Sequence, residues 1–429
     1  MPSIPINQNL PTVNVLQENY LRIRGKTLEI CRPLSKEDYV PQPVVDISPP
    51  KWHLAHTTWF FETFVLRPGK KKYRTFNPSY GYLFNSYYET VGERVLRPDR
   101  GNITRPGVDE IFEYRNYVDK EMLEYLQSLD ETELQNVLDV INLGLQHEQQ
   151  HQELLFTDLK YILGHNPLFP AYLDSSLQPE KPGSFPGPLT YSEIPEGLYE
   201  IGFDGDGFCF DNEKGQHKIF LHAFEVADRL ITNGEYLEFM ESGGYRNFRY
   251  WLSEGWDWVN QQRNKCPLYW IQRDGKWYHY TLHGLLPVDM NEPLTHVNFY
   301  EADAFAAWRG KRLLTEFEWE IACQHLSPVI PPQANLLNTN FLAPVGGEGF
   351  HFFGDVWEWT NSAYLPYPYY SKAKGAIGEY NGKFMINQMV LKGGSCVTSK
   401  DHIRITYRNF FHPHLKWQFS GIRLANTIM

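Results

Sequence analysis

Two histidines four residues apart, His147 and His151 in HEQQHQE, are the plainest candidates for chemistry in this chain. On a helix that spacing puts two side chains on one face, about 5–6 Å apart at Cβ, close enough for two imidazoles to share a metal ion. Spacing alone is weak evidence. With 15 histidines in 429 residues, chance supplies roughly half of one such pair. A second pair, His279 and His283, lies in the alternating stretch WYHYTLHGL. On a strand those positions stand about 13 Å apart, too far for a shared ion. The 147/151 pair is therefore the credible chelate, and a third ligand has to come from another element. His56, in WHLAHTTWFFE, sits on an aromatic-rich segment of the same half, with His53 as its rival one turn away. Metal sites in helical bundles are built from inward side chains on facing helices. Three neutral imidazoles with open positions suit a divalent iron that must also bind substrate and oxygen. The plain alternative is a core histidine at 56 and a solvated polar face at 147 and 151.

The elements that must position these residues are legible as helices. Residues 10–31 and Pro50–Leu66 carry apolar residues at helical spacing, and the pattern returns over Val108–Leu129. Asp130 and Glu133 make a capping-box-like start to a last helix that runs to Gly164. A Tyr-, Asn- and Gly-rich stretch, Tyr73–Arg105, reads as a long loop. Four such helices predict an antiparallel bundle. Residues 166–190 hold six prolines and read as a linker. Beyond them the texture changes to short strands, Gly turns and aromatic clusters, with short helices expected at Asn233–Ser242 and Tyr300–Arg309. The expected architecture is α + (α+β): a helical bundle over 1–168 carrying the metal site, a Pro-rich linker over 169–190, and an α+β domain over 191–429.

Composition narrows the function. The formal net charge is −11, which argues against a nucleic-acid partner. Aromatic residues make up 15% of the chain, enough with 29 Pro and 32 Gly to describe a compact, loop-rich protein. No run of about 18 apolar residues predicts a membrane span, and the first residues lack the basic and apolar regions of a secretory signal. The five cysteines (Cys31, Cys209, Cys266, Cys323, Cys396) are scattered without a CxxC, so a reducing cytoplasm is the expected location.

Taken together, LAH on the second helix and HxxxHxE (His147, His151, Glu153) resemble the DinB-like domain of the ergothioneine-pathway sulfoxide synthases. The second half resembles the formylglycine-generating-enzyme-like domain, a C-type-lectin-type fold. Its marks are Asn298–Ala322 (NFYEADAFAAWRGKRLLTEFEWEIA), GDVWEWT (Gly354–Thr360), LKGGSC (Leu391–Cys396) and FSGIRLA (Phe419–Ala425). The order of these motifs over nearly the whole chain is more specific than any one of them. The resemblance implies a non-haem Fe(II) oxidoreductase that uses O₂ to join a thiol to an imidazole carbon of hercynine and oxidise the sulfur to a sulfoxide. It implies His56, His147 and His151 as the iron ligands. Each of the two oxidations releases two electrons, so the substrates supply all four that O₂ takes. No Rossmann or P-loop motif for an organic cofactor appears in the sequence. True formylglycine-generating enzymes hold copper with two cysteines shortly after the GGS turn. Here the corresponding slots fall near Thr398 and Ile403, which makes the second domain an expected wall of the active site.

By the same resemblance, Asn409, Phe410 and Phe411 match the region that binds the substrate's trimethylammonium, a permanent cation suited to electron-rich rings. Gln150 resembles the residue that contacts the substrate imidazole. The sulfur donor's carboxylate needs a guanidinium, and Arg94, Arg97 and Arg100 lie after the tyrosines of the Tyr-rich stretch, with Arg97 favoured. Tyr87 and Tyr88 supply the proton donor, since a phenol stays protonated at neutral pH. A Tyr pair at this place resembles the family branch that uses free cysteine. γ-Glutamylcysteine or a selenium donor are alternatives within the class, and a non-catalytic lectin-like binding module is the alternative outside it.

Overall fold

The computed structural model describes residues 11–173, 186–263, 265–347, 349–372, 376–379 and 381–428. The chain divides into two compact units, Met1–Ile162 and Leu163–Met429.

Four helices frame the first unit. Helix α1 (Val13–Cys31) starts on Thr12, whose hydroxyl accepts from the Val15 amide, and buries Leu16, Tyr20, Ile23, Thr27 and Ile30 along one stripe. Helix α2 (Pro50–Phe61) has Pro at its first position and is buried all round, so it is the central helix of the unit. It continues through a π-helical turn, Glu62–Leu66. Helix α3 (Val108–Ser128) buries Ile111, Tyr114, Val118, Met122 and Leu126. Helix α4 (Glu131–Gly164) is the longest at 34 residues. Its start is a reciprocal cap: Asp130 Oδ1 accepts from the Glu133 amide at 2.8 Å, and Glu133 accepts from the Asp130 amide at 3.2 Å. The expected loop 73–105 contains a short helix, Tyr80–Phe84, and 3₁₀ turns at Glu89–Val91 and Arg97–Asn102.

The second unit is built on small sheets. One has the order β1 (Tyr191–Ile194), β4 (Phe224–Ala227), β13 (Leu424–Thr427), β8 (Arg312–Leu313). Another has β11 (Asn409–Phe411), β10 (Met389–Lys392), β9 (Trp357–Ala363), β12 (Ser420–Gly421). A ribbon, β2 (Gly197–Ile201) with β3 (His217–Leu221), and a meander, β5 (Trp270–Arg273), β6 (Lys276–Thr281), β7 (Gly284–Pro287), complete the set. Helices α5 (Asn233–Glu241) and α7 (Phe299–Trp308) fall where the sequence places helices. Helices α6 (Ser253–Gln261) and α8 (Glu316–Leu326) are additional to the two expected.

The division at Ile162/Leu163 falls inside α4, ahead of the Pro-rich segment. Residues 174–185 of the expected linker lie outside the described residues. Its start is docked: the Tyr172 and Leu173 amides donate to the Leu282 carbonyl at 2.9 and 3.0 Å. In the GGS turn, Gly393 has φ +98°, and a Cβ there would stand 2.5 Å from the Phe352 carbonyl, so only glycine fits. Among the described residues no helix is long and apolar enough to cross a membrane, and all five cysteines are free thiols.

Candidate metal centre

Helices α2 and α4 bring His56, His147 and His151 together. One ring nitrogen from each lies within 4.8 Å of the others, and all three side chains are buried. Among the described residues no other group of three His, Cys, Asp or Glu is placed to hold an ion. His279 sits in β6, whereas His283 lies past the end of that strand, in the turn before β7.

The hydrogen bonds of the first ligand candidate fix its tautomer. His56 Nδ1 donates to the Phe84 carbonyl at 2.6 Å, which leaves the Nε2 lone pair facing the cluster. His56 Nε2 and His147 Nε2 stand 3.2 Å apart with the rings edge to face. Two lone pairs at that distance need a proton or a cation between them. Burial pushes the His147 imidazole down to about 3. Burial and the neighbouring His147 push His56 down, and burial with the other imidazoles does the same to His151. Neutral imidazoles are the form that binds metal, so the donor set fits a divalent transition ion.

The rings around the cluster hold it rigidly. His56 stacks on Trp52 (4.4 Å, 15°) and on Trp59 (5.5 Å, 17°), one turn away on either side along α2. Arg100 lies over the far side of Trp52 with its guanidinium carbon 3.5 Å from the ring centre. This arginine is buried, donates to Ser48 Oγ at 2.8 Å and Ser86 Oγ at 2.9 Å, and its Nε has no protein partner. Burial, then Arg97, lowers its affinity for its own proton. Arg97 is exposed and donates to the Asp46 carbonyl. Arg94 is ion-paired with Glu89.

Tyr88 is fully buried, with its ring 5.6 Å from Trp59 and 5.1 Å from Phe64, and Tyr87 stacks on it at 4.6 Å. Asn85 clamps the Tyr88 backbone by accepting from its amide and donating to its carbonyl. Gln150 is half-buried on α4 beside His151. In the second unit, Phe410 stacks on Tyr364 at 4.1 Å, Phe411 meets Trp417 edge-on at 5.3 Å, and the Asn409 side chain accepts from the Phe410 amide.

Three groups near the cluster stand outside the residues that the sequence reading assigned a role. Glu148 is buried beside His147 and bound by Arg24, Arg115 and Thr27. Trp52 separates His56 from Arg100. Asp158 reaches His53 and lies seven residues after His151, two turns along the same helix face, so the 4-and-7 spacing of His147, His151 and Asp158 was a usable signal.

This fold and site define a two-domain protein whose helical unit carries a buried histidine triad competent to hold a metal. The DinB superfamily matches residues 19–155, and the sulfatase-modifying factor enzyme 1-like domain matches 186–327 and 348–428. Hercynine oxygenase from Mycolicibacterium smegmatis is 30% identical to this chain, over 88% of this chain and 91% of that protein. The hercynine oxygenase of Mycolicibacterium thermoresistibile is 28% identical, over 88% and 87%. That of Mycobacterium tuberculosis is 29% identical, over 88% and 91%. The chain belongs to the hercynine oxygenase family and is an oxygenase.

Proposed function

We propose that this oxygenase is an iron(II)-dependent sulfoxide synthase of ergothioneine biosynthesis that couples L-cysteine to the imidazole of hercynine. The observation that carries the reading is the buried His56–His147–His151 cluster in a chain matched along most of its length by hercynine oxygenases. These three imidazoles would hold the iron, which when bound supplies a site for O₂ and for the thiolate. The electron balance supports the choice of co-substrates. Forming the C–S bond and oxidising the sulfur give up two electrons each, and O₂ accepts four, so no further reductant enters.

The chain's own groups divide the remaining work. A guanidinium of the 94–100 segment takes the donor's carboxylate as a forked pair. Arg97 stands toward solvent, Arg94 is half-buried and paired with Glu89, and Arg100 faces the Trp52 layer with an Nε still able to donate. Gln150 meets the substrate imidazole. Asn409, Phe410 and Phe411 receive the trimethylammonium, which has no N–H to donate and is held by ring faces and oxygen dipoles. Tyr88, with Tyr87 stacked on it, holds the proton delivered when the C–S bond forms. A protein of this kind works on soluble small molecules in the cytoplasm, without nucleic acid or membrane.

The test is direct. The full chain is given Fe(II), O₂, hercynine and either cysteine, γ-glutamylcysteine or selenocysteine, and O₂ uptake and product mass are followed. Cysteine-dependent uptake with formation of hercynylcysteine sulfoxide is expected. Turnover with γ-glutamylcysteine but not cysteine would overturn the donor assignment, and no substrate-dependent uptake with any donor would overturn the enzyme reading. His147→Ala is expected to release the metal. Tyr88→Phe is expected to shift product from sulfoxide toward oxidised thiol.

A further inference from the structure

His53 was the rival to His56 for the third ligand position, and both of its nitrogens are engaged elsewhere. His53 Nε2 lies 2.9 Å from Asp158 Oδ2, and His53 Nδ1 lies 2.8 Å from His151 Nδ1. All three side chains are buried. The same Asp158 oxygen accepts from the Ser48 amide at 2.8 Å, as a carboxylate acceptor should. Ser48 Oγ in turn accepts from Arg100 at 2.8 Å.

Donor and acceptor rules run through this row in one direction. An ionised carboxylate only accepts, so His53 carries its proton on Nε2 and donates it to Asp158. A single proton on the His53 ring leaves Nδ1 a bare lone pair, which accepts from His151 Nδ1–H. A neutral His151 protonated on Nδ1 has its Nε2 lone pair free. The identity of the metal-facing nitrogen on α4 is thereby set two residues away, by a carboxylate that never touches the metal site.

We propose that His53 and Asp158 are positioning residues that lock His151 in the Nδ1–H tautomer and fix its ring plane, so that Nε2 is presented for metal binding. This rests on the reading of His56, His147 and His151 as the metal ligands. Partners of this kind that orient a metal-bound imidazole are typically worth about 10–100-fold in metal affinity.

The test uses Co(II) alone as the probe, titrated into the metal-free full chain, with the thermal midpoint of each metal-free variant as the folding control. His53→Leu keeps bulk in the core but removes the acceptor, and it is expected to weaken Co(II) binding about 10–100-fold. His53→Asn restores an acceptor oxygen near the Nδ1 position and is expected to bind within about threefold of the unsubstituted chain, an inference from the same acceptor rule. Pure packing would reverse that order, with Leu tolerated and Asn not. Binding by His53→Leu as tight as that of the unsubstituted chain, or equal weakening in both folded variants, overturns the lock. Should His53→Leu fail to fold, nitrogen-15 histidine spectra of the unsubstituted metal-free chain decide, with His151 assigned by its loss in His151→Asn. An Nδ1–H tautomer at His151 supports the lock, and an Nε2–H tautomer overturns it. An unsubstituted chain that binds no Co(II) would instead overturn the metal reading on which the lock rests. Tight Co(II) binding without hercynine turnover would leave the lock standing and sink the proposed reaction.

Discussion

Glu148 and His147 are neighbours on α4 and are kept in opposite electrostatic states. Burial holds His147 neutral. Burial alone would also discharge Glu148, but Arg115 and Arg24 outweigh it and push the carboxyl down to about 2. Arg24 donates to Glu148 at 2.8 Å and to Asp119 at 2.7 Å, so one carboxylate ties together α1, α3 and α4 around the triad. Removing Glu148 leaves Arg115 without its carboxylate and Arg24 with Asp119 alone, and breaking a buried pair costs about 3–5 kcal/mol. Glu148→Ala is therefore expected to lower the unfolding free energy by about that amount, read by urea denaturation of the metal-free chain. A loss under 1 kcal/mol would show that solvent reaches the two guanidinia. The HxxxH pair was legible because helical spacing is local. The charge network and the contacts of His53 with Asp158 and His151 were not, because they join residues 33 to 124 positions apart through packing.

At the scale of elements, the long helices were legible, α2 among them although it is buried all round, and the two short helices α6 and α8 were not. Helix α8 carries a capping box, Thr315 with Glu318, yet buries Glu316, Glu320 and Trp319 together. Its acids are matched by Lys392 at the end of β10 and Arg408 just before β11, so its polar residues mark no solvent face. Helix α6 is nine residues long with Trp256 and Trp258 alternating, a pattern that also suits a strand. Between α2 and α4 the approach is close at Gly144, where a Cβ would stand 2.7 Å from Phe61 and 2.9 Å from Phe60. Alanine normally stabilises a helix interior relative to glycine by about 1 kcal/mol. Here the clash decides the sign, and overpacking costs typically about 1–3 kcal/mol. Gly144→Ala is expected to lower the thermal midpoint and to weaken Co(II) binding, because Phe60 packs against His147 at 5.0 Å. A raised midpoint would show that the two rings can yield.

For the molecule as a whole, acidification separates two effects of charge. The chain carries −11 at neutral pH, with an isoelectric point near 5.8. Lowering the pH from 7 to 6 therefore relieves net repulsion, which by itself favours the compact state. Buried neutral histidines act the other way. His402 is 1% exposed, its Nε2 lies 3.0 Å from the Tyr407 hydroxyl, and burial, then Arg404, pushes its imidazole well below the ordinary value. In the unfolded chain the same side chain takes up a proton below about pH 6.5. Over that window the unfolded state binds more protons, so stability falls as pH falls, by up to about 1.4 kcal/mol per pH unit for each such group. The three imidazoles of the triad carry the same sign in the metal-free chain. They are common to both proteins when the chain is compared with His402→Gln, so they cancel. The variant is expected to lose stability between pH 6 and pH 5 less steeply, by close to one proton's worth, in urea titrations with chelator present. Equal slopes would mean that the folded protein protonates His402 as readily as the unfolded one does, and would overturn its reading as a neutral core imidazole.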